Sequence, residues 1–191
     1  MILASHVIFG AYGFWLPNDP RGSWSDFVGS WELFRYGPAT KVTTRHSRAA
    51  DPHDRQLRLA AKQALKFPPV VFDGHQALAV SQGFSRAAEE SGYVFYACAI
   101  LPEHVHAVIG RHPRDIKRIV GHIKGRATQE LHEQALFPND DRPVWAESCW
   151  KVYIDNVQHL RNAIQYVYDN PVKEGKNPQT WSFVRPYPFP F

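Results

Sequence analysis

The sequence predicts an α+β fold: a ferredoxin-like antiparallel sheet with helices packed on one face, plus a long insertion after the first strand. Three observations predict it. Short β-rich runs alternate with segments of helical period in the order strand, helices, hairpin, helix, strand, helix. A dense cluster of turn formers, Pro17-Asn-Asp-Pro-Arg-Gly-Ser23, ends the first strand and opens a stretch to about Asp54 with no sustained period. At 191 residues the chain is long enough to bury one real core, and nothing in it requires a second.

Taken in order, Ser5 to Leu16 reads as the first strand. The aperiodic stretch that follows spreads basic residues, Arg21 and Arg45 among them, between Trp24, Trp31, Phe34 and Tyr36. A loop this long in a compact domain is either a functional insertion or a mobile flap, and two readings stand side by side: an irregular surface excursion anchored by aromatics, or nucleic-acid contact. Arg55 to Lys66 has helical composition and stops before Pro68-Pro69. A second helix runs from near Gly74 to Ser91, where Gly92 is the stop signal. Tyr93 to Leu101 and Val105 to Gly110 read as a hairpin joined by Pro102-Glu103. Arg114 to about Gln134 is helical, and Val144 to Ile154 is a strand interrupted near Ala146-Glu147. Val157 to Asn170 is a last helix stopped by Pro171, and the proline- and aromatic-rich tail from Asn177 is an extended segment draped over the body.

Composition narrows the class. With 44% apolar and 21% charged residues the chain is an ordinary globular one, and it has neither a run of about 18 apolar residues nor a signal peptide. Secretion and membrane spanning are not expected; a cytoplasmic, nucleoid-associated protein is. Cys98 and Cys149 lack metal-type spacing and read as buried thiols. The excess of 22 Lys and Arg over 18 Asp and Glu favours a polyanionic partner.

Chemistry concentrates in the second half. His104 and His106 stand two apart at the start of a strand, so both imidazoles project from one side and can bind one metal ion. In the helix from Arg114, the residues Ile116, Ile119, Val120, Ile123, Ala127 and Leu131 form the core stripe. The other face carries Arg114, Lys117, Arg118, His122, Lys124 and Arg126, offset only by Asp115; it is either a solvated face or one suited to a phosphate backbone. In the last helix Leu160, Ala163, Ile164 and Val167 form the stripe, with Tyr168 at its margin. Tyr166 lies off it, and Asn170 follows one turn later. Cleaving a phosphodiester without added water needs an oxygen nucleophile and a divalent ion that polarises the phosphate, and a tyrosine with two neutral imidazoles and a side-chain oxygen supplies both requirements.

Three stretches resemble one known family. Leu101-Pro-Glu-His104-Val-His106 is similar to the histidine-hydrophobe-histidine (HUH) motif of single-tyrosine transposases. Val144-Trp-Ala-Glu-Ser-Cys-Trp150, followed by Gln165-Tyr166-Val-Tyr-Asp-Asn170-Pro171-Val-Lys-Glu-Gly175, resembles the strand and helix end of the REP-associated tyrosine transposases. The opening, Ala11 to Ser23, is similar to a first-strand signature of part of that group. The resemblance implies a catalytic domain over residues 1–175, an insertion over about 19–54 that departs from the compact family core, and an extended tail over 176–191. It implies a metal-dependent nickase and strand transferase acting on single-stranded or hairpin DNA through a 5′-phosphotyrosine intermediate. By the match Tyr166 is the nucleophile and His104 and His106 bind Mg²⁺ or Mn²⁺. Asn170 takes the place where related transposases use a Gln as a further ligand. Two other readings stay open, a DNA-hairpin-binding protein without catalysis and a hydrolytic metal phosphoesterase, as does the choice between monomer and homodimer.

Overall fold

The structure, a computed structural model, describes residues 1–17, 19, 31–37 and 54–189. The chain divides into two compact units, one formed by Met1–Phe9, Phe72–Arg142 and Ser148–Phe191, the other by Gly10–Val71 and Pro143–Glu147. The elements run β1 (Ala4–Gly10), α1 (Trp31–Phe34), α2 (Arg55–Gln63), α3 (Gly74–Ser91), β2 (Phe95–Ile100), β3 (His104–Gly110), α4 (Ile116–Glu133), β4 (Trp150–Ile154) and α5 (Val157–Lys173).

The first unit holds the four-stranded sheet, ordered β2-β3-β1-β4, the order a split β-α-β plan produces. β2 pairs antiparallel with β3, and β1 antiparallel with β4. Because side chains alternate, Val7 and Phe9 of β1 face one way and Ala4 and His6 the other. On the Phe9 face α3 and α4 pack: the ring of Phe84 lies 6.0 Å from Phe9 and 6.3 Å from Phe95. On the opposite face Ala4, Ala97, Ala99, Val108 and Ile154 form a core closed by Leu160 and Val167 of α5. Helices therefore cover both faces, where the sequence led to one. Stripe periodicity says that a helix buries a side, not which side of the sheet receives it.

Local chemistry explains the ends. α3 starts at a capping box, in which the Asp73 carboxylate accepts from the Gln76 N–H at 2.8 Å and the Gln76 side chain accepts from the Asp73 N–H at 3.1 Å. α5 starts at Asn156, whose side-chain oxygen accepts from the N–H groups of Gln158 and His159. It does not stop at Pro171, as proline alone suggested, but runs on to Lys173. Proline's fixed φ suits a helix, so one further turn forms, and termination falls to Gly175 at φ 68. There the Gly175 N–H donates to the Val172 carbonyl and the Lys176 N–H to that of Pro171, the paired bonds of a left-handed C-terminal stop. Those extra residues matter below.

Two strands are shorter than their composition suggests. β1 ends at Gly10 rather than Leu16, and beyond it only a single bridge, Ala11 to Trp145, continues the pairing. The turn that follows folds the Phe14 ring onto Gly10, where a Cβ would lie 2.7 Å from the ring. β4 begins only at Trp150, after Ser148 at φ 63 interrupts the extended run. The tail lies along the β2 edge. The Gln179 amide accepts from the Ile100 N–H at 2.8 Å and donates to the Ile100 carbonyl at 2.7 Å, Val184 bridges Phe95, and Phe183 packs edge-on to Phe95 at 5.0 Å. Edge groups that would otherwise be open are thereby satisfied. Both cysteines are buried and free.

α3 and α4 approach closely at Gly83, where an added Cβ would come within 2.5 Å of the Ala127 backbone. Backbone cannot yield as a flexible side chain can. Gly83→Val should therefore force the helices apart and cost roughly 2 kcal/mol or more, visible as a lower urea midpoint with an unchanged slope. A midpoint equal to the wild type would show that the contact is looser than this.

Candidate active site

His104 and His106 alternate with Val105 on β3, so they share a face with Val108, and Val108 belongs to the core that α5 closes. The same packing that seats Leu160 and Val167 thus lays α5 over both histidines. Tyr166 projects there, 40% exposed, with its ring 5.6 Å from the His106 ring. The two imidazoles lie edge to face at 4.9 Å. The structure brings together the three residues that sequence reasoning placed at the chemical centre.

A third imidazole completes the surface. His6 of β1 stacks on His106 at 5.8 Å, meets Tyr166 edge-on at 5.8 Å and Trp150 at 5.1 Å. Sequence reasoning passed over it because a lone histidine in an apolar strand is usually a core residue. The available signal was its register: it shares a parity with Ala4 and therefore a face with the β3 histidines. The end of α5 supplies two more groups. Lys173 Nζ lies 5.1 Å from the centre of the Tyr166 ring, and Glu174 Oε1 lies 3.5 Å from His104 Nε2. Both belong to the turn that extends past Pro171.

Burial sets the electrostatics. It holds His6 down to about 4, and it holds His106 well below the usual imidazole range, with the neighbouring His104 and His6 acting in the same direction. At neutral pH these two rings are uncharged and keep a lone pair for donation. His106 Nδ1 and His6 Nε2 are buried without a hydrogen-bond partner. The adjacent His104 and His106 rings are a nitrogen-donor pair of the kind that suits a divalent ion keeping its other positions for water or phosphate oxygens. Among the described residues no group of three or more His, Cys, Asp or Glu side chains is arranged to hold one.

Asn170 sits one turn beyond Tyr166 on α5. Its side-chain amide donates to the Tyr166 carbonyl at 3.1 Å and the residue is 7% exposed, so it ties the helix beneath the tyrosine. Tyr168 is as exposed as Tyr166, at 41%, rather than half-packed as its stripe position suggested. What separates the two tyrosines is the ring of partners around Tyr166. Tyr153, on β4, accepts from Lys151 Nζ at 3.0 Å.

The basic face of α4 lies across the sheet from this site and is less one-signed than its sequence. Glu90 of α3 meets Arg126 at 2.9 Å and His122 at 3.4 Å. Arg114 donates to the Tyr93 hydroxyl, and Lys124 donates to the Ser148 carbonyl at 2.7 Å. Lys117 and Arg118 are exposed. Charge compensation from a neighbouring helix is invisible in the period of the helix it compensates. Arg21 and Arg45 lie outside the described residues.

Comparison with known proteins places this geometry. The sequence profile of the family described as "Transposase IS200 like" matches residues 66–170, more than half of the chain. The chain belongs to the IS200-like transposase family. It is similar to a Haemophilus influenzae protein assigned by inference as a REP-associated tyrosine transposase, 25% identical over 100 residues, which are 48% of this chain and 57% of that protein. The match thus spans little more than half the length of that curated relative. Among solved structures it is similar to a REP-associated tyrosine transposase bound to a REP hairpin, with 15% identity, 92% and 70% of the two chains covered and a TM-score of 0.48. A Deinococcus radiodurans protein assigned by inference as a transposase gives 15% identity, coverage of 89% and 91%, and a TM-score of 0.41. The resemblance read from the motifs is thus borne out at the level of the IS200-like family. Among the described residues no helix is long and apolar enough to cross a membrane.

The buried histidines make stability depend on pH with a definite sign. Above about pH 6.5 His6 is neutral in both folded and unfolded chains, and its contribution is fully present. As the pH falls from 6.5 toward 4 the unfolded chain takes up a proton that the folded chain refuses, and up to roughly 3 kcal/mol is lost. In metal-free buffer the melting temperature should fall through this window, and His6→Phe should flatten the fall. An equal slope in the variant would mean that His6 does not carry it.

Proposed function

We propose that this chain cleaves and rejoins single-stranded DNA, with Tyr166 as the nucleophile and His104 and His106 as ligands of a divalent ion. The observation that carries the reading is the placement of an exposed phenol 5.6 Å, ring to ring, from an uncharged His106 on the face that also bears His104. The Tyr166 oxygen attacks the scissile phosphorus; one O–P bond forms as the bond to the 3′-oxygen breaks. The phenol gives up a proton and the departing 3′-oxygen gains one. A 5′-phosphotyrosine and a free 3′-hydroxyl result. Since the phosphodiester is exchanged rather than hydrolysed, a 3′-hydroxyl of another strand can reverse the step without an added energy source.

The residues of the chain do most of the positioning. His6, itself packed edge-on to Trp150, limits how the Tyr166 ring can turn, and the Asn170 amide stiffens the helix turn below it. His104 and His106 would hold Mg²⁺ or Mn²⁺, which when bound supplies Lewis-acid polarisation of the phosphate and charge for the leaving oxygen. Following the REP-associated relative, we take a hairpin-ended single strand in the cytoplasm, at the nucleoid, as the substrate.

Single-stranded oligonucleotides incubated with the protein and resolved on a denaturing protein gel test the nucleophile. The wild type should give a nick and a covalent adduct, and peptide mapping should place the adduct on Tyr166. Tyr166→Phe should lose both products, whereas Tyr168→Phe and Tyr153→Phe should retain them. An adduct on either of those residues, or one recovered from Tyr166→Phe, would overturn the assignment. Nicking without any adduct would point instead to a hydrolytic enzyme.

Metal removal tests the other half. Excess chelator should stop cleavage, and readdition of Mn²⁺ should restore it at least as well as Mg²⁺, given nitrogen donors. His104→Ala and His106→Ala should each lower cleavage by at least about 100-fold while DNA binding stays largely intact. Cleavage at full rate in chelator would remove the metal from the mechanism.

A further inference from the structure

Lys173 comes to Tyr166 by geometry, not by chance proximity on a flexible surface. Seven residues separate them, close to two full helical turns, so Lys173 stands almost directly above the tyrosine on α5. Helical side chains lean toward the N-terminus, which sends the lysine back down over the phenol, 5.1 Å from ring centre to Nζ. Its stem is steered by a ladder on the same flank: Gln165 donates to Asp169 at 2.7 Å, and Asp169 meets Lys173 Nζ at 3.7 Å.

The electrostatic setting asks for such a cation. The substrate phosphate is an anion, and the groups at this end of α5 are otherwise unfavourable to it: the negative pole of the helix, the Asp169 carboxylate and the Glu174 carboxylate beside His104. On the proposed reading the divalent ion sits on the histidine side, leaving the nucleophile's side of the phosphate without a positive charge unless Lys173 provides it.

We propose that Lys173 is a substrate-binding residue that holds the scissile phosphate against Tyr166, with Asp169 as the residue that positions it. The ammonium is a compact charge on a long stem and can exchange its place over the ring for a phosphate oxygen one bond length beyond the phenol. This proposal rests on the tyrosine-nucleophile reading and adds the group that aligns the phosphate for it.

Lys173→Gln, Lys173→Arg and Asp169→Asn test it by two measurements. The first is the salt dependence of single-strand affinity, taken in chelator in the Tyr166→Phe background, where no cleavage occurs. Lys173→Gln should reduce the slope of log affinity against log salt by about 0.7, the loss of one single-strand phosphate contact, and Lys173→Arg should restore it. The second is single-turnover nicking at saturating DNA with Tyr166 present. There Lys173→Gln should be slowed by at least about 10-fold, with Lys173→Arg recovering most of the rate and Asp169→Asn falling between. Circular-dichroism melting of each variant should match the wild type, since Lys173 is exposed. An unchanged slope, or a changed slope with an unchanged nicking rate, would overturn the proposal: the lysine would then either miss the backbone or meet it away from the reacting phosphate. Failure of the wild type to nick would instead overturn the functional reading, and the slope would still decide whether Lys173 meets a phosphate.

Discussion

The packing of α5 on the Ala4–Val108 face of the sheet is the interaction on which the site depends. Burying Leu160 and Val167 contributes about 1.5–3 kcal/mol each, an ordinary amount for a core. Its consequence is positional. Val108 lies in that core and His106 and His104 follow at the same parity of β3, so a helix seated on Val108 must overlie the histidines. No loop has to be ordered to bring Tyr166 and the His104–His106 pair together. Two rigid elements, each fixed by apolar burial, carry the reactive groups on their adjoining polar ends, the arrangement that holds catalytic geometry most precisely.

That arrangement has an energetic cost which the fold absorbs. Leaving His106 Nδ1 and His6 Nε2 buried without hydrogen bonds forfeits about 1–3 kcal/mol apiece relative to satisfied groups. The same burial keeps the rings uncharged at neutral pH, and an imidazole with a proton on both nitrogens cannot donate to a metal. Destabilisation and competence thus share one cause. A variant that gave these nitrogens internal partners would gain stability and lose the lone pairs that suit the site to a cation.

Much of this was legible beforehand, for reasons that can be named. Strong periods fixed the helices: the stripe from Ile116 to Leu131 is buried, and Gly92 marks the end of α3 because capping is local chemistry. The parity of His104 and His106 needed only the pleat of a strand. What stayed hidden was non-local. Neither the face of the sheet that receives α5, nor the pairing of Glu90 with the α4 cations, nor the arrival of His6 beside Tyr166 can be read from one segment's period. Pro171 misled for a different reason. It was read as a stop, although its φ is helical and it only removes one donor near a helix end; the residues placed beyond the apparent stop, Lys173 and Glu174, were therefore not considered as part of the site.

The distribution of charge also bears on where a strand of DNA would run. The α4 cations first drew attention because they are many, yet they lie across the sheet from Tyr166 and two of them are engaged by Glu90. On the proposed reading, an extended strand whose phosphate reaches the phenol passes along the α5 side, where Lys173 lies over the Tyr166 ring. Lys173 and the divalent ion, on that reading, contribute to both binding and chemistry at the one phosphate that is to be cut. On the same reading, the exposed Lys117 and Arg118 are available to a different stretch of nucleic acid. The division suits a substrate with a folded and a single-stranded part, since a duplex stem offers paired backbones to a helix face while a single strand threads to the tyrosine.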